Sequence, residues 1–284
     1  MTVRFKTLRV AANKTLMYVL LSLVAFITVF PFLWMLLTTF KSSKAVFTIP
    51  PMWIPDKLFK PGMWGNYVTV FTKHNFLRYT FNSIFVSFMA ALGQVITCSL
   101  AGFAFARMKF RGKNLLFGAL LATSMVPVEV TIIPEFLLMI KLDWINTYLP
   151  LIVPSFLTGA FGTFMLREFF ANIPRDLEDA ASIDGASVFR TYYNIFLPLA
   201  GSALVTLFVL AFINNWNALL RPVFYISESH LRTLPLGLMA FKGAYESRWN
   251  LLLTGSVISI VPLLILYIGA QRFIIEGIAT TGLK

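Results

Sequence analysis

Residues 177–198 read LEDAASIDGASVFRTYYNIFLP, a charged stretch set between two strongly hydrophobic runs. Just ahead of it, Pro174 suits a first helical turn and Asp176 suits the positive N-terminal end of a helix. Leu177, Ala180, Ala181 and Asp184 then recur at helical spacing, on one expected face. Gly185 is the natural stop, because glycine takes a left-handed conformation without penalty. Ser187 can cap a second helix. That helix carries Val188, Phe189, Tyr192, Tyr193 and Ile195 and runs through Leu197-Pro198 into the next apolar run. The expectation is a short helix, a tight turn and a second helix entering a bilayer.

The rest of the chain supplies the bilayer. Of 284 residues, 58% are hydrophobic and only 13% charged, and the mean hydropathy is +0.77. Soluble domains run at about 45–50% apolar and about 25% charged. One cysteine, Cys98, and two distant histidines, His74 and His230, exclude a disulfide framework and argue against a Cys/His zinc site. Cys98 lies in an apolar run and reads as a small buried residue. The net charge of +12 clusters beside hydrophobic segments. That placement points to lipid headgroups and membrane topology, with no nucleic-acid partner.

A hydrocarbon core of roughly 30 Å needs about 20 apolar residues to cross. Segments at about 15–39, 80–106, 114–140, 147–170, 199–220 and 251–273 meet that length. Pro127, Glu129, Pro134 and Glu135 interrupt the third, and a short polar stretch at 141–146 separates it from the fourth. Arg4, Lys6, Arg9 and Lys14 precede the first span, and Arg107, Lys109, Arg111 and Lys113 fill the tight loop after the second. Both sets read as cytoplasmic, which places the N- and C-termini inside. Lys41, Lys44, Lys57, Lys60, Lys73 and Arg78 in the long loop after span one count against this; the dense short loop weighs more. Trp34, Trp144 and Trp249 fall near the outer ends, where aromatic belts sit.

The segment 177–198 also resembles the EAA motif of ABC importer permeases. The matching positions are Asp179-Ala180-Ala181, Gly185, Ile195 and Leu197-Pro198. The likeness extends to NFLRYTFNSIFVS (75–87), MVPVEVTIIP (125–134), residues 164–181, Trp216-Asn217, TLPLG (233–237) and QRFIIEGIATTGLK (271–284). It is to the carbohydrate-uptake branch, and within it to the maltose-type second permease subunit. The resemblance implies that Glu178, Asp179, Ala180, Ala181, Asp184, Gly185, Ile195, Leu197 and Pro198 couple the chain to an ATPase. The family's Glu is here Asp179, one methylene shorter and preceded by Glu178, so the expected contact falls on either acid. Ala218 follows Trp216-Asn217 where relatives usually carry an acid, so that acid's role does not carry over.

The resemblance further implies four kinds of partner. These are a second, non-identical permease subunit, an ATPase homodimer or heterodimer, an extracytoplasmic solute-binding protein and membrane lipid. This chain would bind no cofactor and catalyse nothing; ATP and Mg would belong to the partner ATPase. The sequence agrees. The Gly-Lys pair at Gly112-Lys113 is followed by Asn114, and Arg107 stands where a P-loop needs its first Gly. H-E-x-x-H and G-x-S-x-G are also absent.

Other residues keep two readings. Glu129 is either a pathway residue, as an acid in a span is by default, or an acid near the outer interface. Ala90, Gly93, Thr97, Ala101 and Ala104 form a small-residue stripe on span two that serves packing within the subunit or between subunits. Gly243, Ala244 and Tyr245, in outer loop 222–250, resemble the family loop that reaches the binding protein; otherwise they simply close spans five and six. The tail 274–284 resembles the one that enters the ATPase dimer, or it frays.

The expected organisation is an all-α integral membrane protein of the bacterial cytoplasmic (inner) membrane. A tail at 1–14 leads into a permease domain at 15–273, with a coupling segment at 174–198 and outer loops at 40–79 and 222–250. The expected function is the transmembrane subunit of an ATP-driven sugar or oligosaccharide importer working by alternating access. The alternative is an ion-gradient-driven secondary transporter, which would need paired ionisable groups inside the membrane.

Overall fold

The computed structural model describes residues 2–157, 159–243 and 248–282, with side chains for 13–157, 159–243 and 248–273. The regular structure among them is helical, with no β-strand. Four segments are long and apolar enough to cross a membrane: Asn13–Thr38, Phe76–Arg107, Leu149–Ala171 and Trp249–Phe273. Two further apolar pairs are bent, Lys113–Thr123 with Val128–Lys141 by 96° and Val188–Leu199 with Gly201–Trp216 by 78°.

The bends follow from the sequence. Pro127 caps the start of α5 (Val128–Lys141) in extended conformation, so α4 (Lys113–Thr123) cannot run straight on. Pro198 removes a backbone donor after α9 (Val188–Thr191). The preceding turn, Tyr192–Phe196, is widened to a π-helix before the short α10 (Leu197–Leu199), and α11 (Gly201–Trp216) sets off in a new direction.

The chain forms two compact units, residues 1–74 with 240–258 and residues 75–239 with 259–284. In the first, α1 (Thr2–Thr38) carries an apolar stretch whose side chains, from Leu16 to Leu36, are mostly exposed, as those of a lipid-facing helix are. The loop after it is ordered by one buried amide. Asn66, in α2 (Gly65–Lys73), donates to the carbonyls of Thr39 (2.6 Å) and Lys41 (2.9 Å) and accepts from Asn250 (3.0 Å). Trp53 meets Trp34 edge-on at 5.2 Å, and Lys41 Nζ sits 3.9 Å over the Trp34 ring.

In the second unit, α3 (Phe76–Arg107) is the axis, packed chiefly against α7 (Ala160–Ala171) and α11. Small residues permit the approach. A Cβ on Gly102 would lie 3.0 Å from the Arg167 backbone, and one on Gly93 would lie 2.4 Å from the Phe156 ring. The stripe on span two therefore packs inside the subunit at Ala90 and Gly93. Cys98 is buried as expected, in a cluster with Phe103, Leu166, Phe170, Phe196 and Leu207.

A second cluster joins Val86, Ile132, Met139, Leu151, Tyr225 and Ile226. Nearby, Asn82 donates to the carbonyls of His230 and Arg232, and Ser83 accepts from the Leu234 N–H at 2.7 Å. Segment 229–234 is thereby pinned to the start of α3. The last helix, α14 (Trp249–Gly282), is continuous through residues expected to form a separate tail, and α1 likewise begins within the expected N-terminal tail.

Candidate functional site

The segment 174–198 folds as a helical hairpin. α8 (Asp176–Ile183) starts with Asp176, Glu178 and Asp179 in its first turn, where the helix dipole favours carboxylates. It ends in a Schellman motif. The Ala186 N–H bonds the Ala181 carbonyl at 2.9 Å and the Gly185 N–H bonds that of Ser182 at 3.1 Å. Gly185 carries the positive φ, +73°, that this ending requires. No atom lies within 4 Å of a Cβ built there, so a side chain would meet backbone strain and no steric block. Ser187 then caps α9, its hydroxyl accepting from the Arg190 N–H at 3.3 Å.

The hairpin is fastened from below. Arg107, the last residue of α3, has a side chain only 5% exposed. It donates through Nε (3.1 Å) and Nη2 (2.6 Å) to the Phe170 carbonyl, and through Nη2 to that of Ile173. Both acceptors are carbonyls at and just past the end of α7, where a cation is favoured. Arg107 Nη1 stands 3.6 Å from Glu178, and the guanidinium lies 4.9 Å over the Phe196 ring. One side chain thus ties α3, α7, α8 and the π-turn together. A second tie is the buried Ser99–Tyr192 hydroxyl pair at 2.7 Å.

Three sequence expectations change here. Ala181 does not share an outward face with its neighbours; it is buried, 6% exposed, against its own chain. Glu178 is half-buried and paired inward with Arg107, so the acid left pointing outward is Asp179. The outward surface is also more apolar than the motif suggests. Leu177, Ile183 (87% exposed), Val188 and Phe189 stand exposed beside Ala180 and Asp184. Gly185 is exposed at the tip, Ile195 and Leu197 pack on the core cluster, and Pro198 is exposed. Sequence reading passed over Ile183 and Arg107. The apolar Ile183 beside Asp184 was the available signal for the first; Arg107 was read only as a topology charge.

Elsewhere, Glu129 lies exposed in the first turn of α5. In the same helix Glu135 has a partner, 3.2 Å away, in Arg221 of α12 (Leu220–Tyr225). Gly243 is exposed, while Ala244 and Tyr245 lie outside the described residues, as do residues 283–284 and the side chains from 274 on. Among the described residues, no group of His, Cys, Asp or Glu side chains is placed to hold a metal ion.

The described residues thus combine several apolar helices of membrane-spanning length with an exposed helical hairpin fastened to two of its neighbours. Comparison with known proteins supplies the family. Residues 98–278 match the model of the family described as "Binding-protein-dependent transport system inner membrane component". The arabinooligosaccharides transport system permease protein AraQ of Halalkalibacterium halodurans is 34% identical over 92% of this chain and 93% of its own length. The trehalose/maltose transport system permease protein MalG of Thermococcus litoralis is 33% identical over 92% of this chain and 94% of its own. A chain in the crystal structure of a bacterial ABC transporter that imports the acidic polysaccharide alginate superposes with a TM-score of 0.77. It is 23% identical over 90% of this chain and 94% of that chain, a likeness of fold. This chain belongs to the family of binding-protein-dependent ABC transporter permeases and is an inner-membrane component of such a system.

Proposed function

We propose that this chain is one of two permease subunits of an ATP-driven importer for a sugar or oligosaccharide, and that α8 and α9 are its docking element for a separate ATPase. The observation that carries this is the pairing of an exposed apolar hairpin surface with an internal fastening. Leu177, Ile183, Val188 and Phe189 offer a partner a greasy contact. Arg107 makes a push on that contact a push on α3 and α7. A loosely hung loop would absorb such a push.

In this reading each bent pair counts as one span, giving six crossings with both termini cytoplasmic and loops 40–79 and 222–250 outside. ATP and Mg bind the partner ATPase dimer. Its closure moves the hairpin and opens the pathway outward, and hydrolysis reverses the movement. A solute-binding protein, in keeping with the family's description, delivers substrate to the outer face, where Gly243, Ala244 and Tyr245 are candidate contacts. The sugar class is supported by the relatives, whose names specify arabinooligosaccharides and trehalose or maltose. Glu129, exposed at the start of α5, stands as a candidate pathway residue beside the Glu135–Arg221 pair.

The test is Gly185→Val in the assembled transporter. A β-branched residue at φ +73° is strained by about 1–2 kcal/mol or more, enough to deform the turn while the membrane body stays folded. Uptake per ATP hydrolysed is expected to fall sharply with expression and assembly retained. Unchanged uptake at unchanged ATP cost removes the hairpin from the coupling path.

A further inference from the structure

The second unit holds a cavity of about 390 Å³ beside the end of α11 and the start of α12. Its polar lining comprises Asn214, Asn215, Asn217, Arg221 and Thr233, set against an apolar wall that includes Val86 and Leu151. Natural ligand sites have this make-up, a mostly apolar pocket with a few convergent polar groups, and begin at about 300 Å³.

The polar groups around it are underused. The Thr233 hydroxyl is buried, with its residue 5% exposed, and makes no hydrogen bond. Arg221 Nε and Glu135 Oε1 are likewise buried and unpaired, although the two side chains meet through Nη2 and Oε2 at 3.2 Å. The Tyr225 hydroxyl is also buried without a hydrogen-bond partner. Buried polar atoms without partners are costly and rare, and two of these, on Thr233 and Arg221, belong to residues that line the cavity. Asn215 and Asn217 each spend an amide N–H on the carbonyl four residues back, Ala211 and Ile213. Their side-chain oxygens are left as acceptors. The cavity lining therefore offers acceptors (the Asn oxygens) interleaved with donors (the Arg221 guanidinium, the Thr233 hydroxyl).

We infer that this cavity is a solute subsite for an uncharged sugar ring, contributed by this chain itself. A hydroxyl both donates and accepts, so neighbouring ring hydroxyls can satisfy an amide oxygen and a guanidinium side by side. The charge balance selects against anions, because Glu135 already neutralises Arg221. The apolar wall suits the C–H face of the ring. Trp216 is not the stacking platform; it is buried against Phe212, with ring centroids 5.7 Å apart.

The inference rests on the importer reading, and the experiment separates the two. The complete transporter, reconstituted with its ATPase and binding protein, is assayed at saturating binding protein. The probes are a panel of neutral pentose and hexose di- to tetrasaccharides and an acidic uronate trisaccharide. For the neutral sugar carried, Asn217→Ala and Thr233→Val are expected to raise the half-saturating concentration about tenfold, with ATPase recovery unchanged. A second readout uses the chain's single cysteine, Cys98, which is buried. In an Asn217→Cys variant the new thiol is expected to react with a hydrophilic methanethiosulfonate, and the transported sugar is expected to slow that reaction. ATP-driven uptake of a neutral sugar that is indifferent to both substitutions, with no protection of the thiol, overturns the subsite and leaves the importer standing. Preference for the uronate overturns the charge argument and with it the subsite. A transporter that moves none of the panel with ATP overturns both.

Discussion

At residue scale, two residues hold the shape of the hairpin. Gly185 sets the turn, and Arg107 fastens it to the membrane body. Hydrogen bonds from a charged donor are worth about 1.5–3 kcal/mol each when a buried acceptor depends on them. Arg107→Gln leaves the carbonyls of Phe170 and Ile173 poorly satisfied and Glu178 unpaired. We expect a loss of about 2 kcal/mol in stability, read as a lower melting temperature in detergent, together with faster proteolysis of 174–187. Glu178→Gln, which removes only the partly exposed ion pair, is expected to cost well under half of that. Equal effects would mean that the ion pair, and not the carbonyl contacts, holds the hairpin.

A third residue-scale prediction concerns pH. His74 follows α2, its ring edge-on to Phe241 at 4.7 Å. Burial lowers its pKa below the ordinary 6.5, and the nearby charges of Arg248 and Lys73 lower it further. The unfolded chain therefore takes up this proton before the folded one does. Stability is full above the ordinary value and declines as pH falls below it. Melting between about pH 8 and about pH 5 should show that decline, and His74→Gln should flatten it. An identical decline in the variant assigns the acid sensitivity to other groups.

At element scale, the exposed face of α8 and α9 is the feature to test. Phe189→Asp or Ile183→Asp puts a charge on an outward apolar surface, so the chain itself should fold, and membrane insertion should be normal. Co-purification of the ATPase is expected to weaken by more than about tenfold, the usual mark of an interface hot spot. Retention of the ATPase by both variants would move the docking surface elsewhere. The helices of this region were legible in residues 177–198 because their signals are local. Gly185 as the stop and Ser187 as the cap both proved to do what their chemistry suggests. The facing was not legible. Which side of α8 turns inward depends on Arg107, distant in sequence, and on the room that Ala181 leaves. Periodicity over eight residues cannot register either.

At the scale of the whole chain, hydrophobic run length located the membrane helices well. Expected span 80–106 is α3, and 251–273 lies within α14. Proline marks the two bends: the run at 114–140, which Pro127 interrupts in the sequence, is bent by 96° there, and the expected span 199–220 begins at the 78° bend that follows Pro198. The polar cavity escaped the sequence reading. Asn217, Arg221 and Thr233 come from separate elements, and only folding brings them to one cavity. The Glu135–Arg221 pair is also the feature that a secondary transporter would need. That alternative predicts uptake driven by an ion gradient and indifferent to ATP.

The central claim is that another protein's ATP hydrolysis moves this chain through α8 and α9. It is tested most directly by sugar uptake into proteoliposomes holding the complete complex, with ionophores collapsing all ion gradients and ATP supplied on the hairpin side. The account predicts uptake that depends on ATP and is lost in the Gly185→Val complex while that complex still hydrolyses ATP. Uptake that ceases with the ionophores, or that persists at full ATP coupling in Gly185→Val, would contradict it.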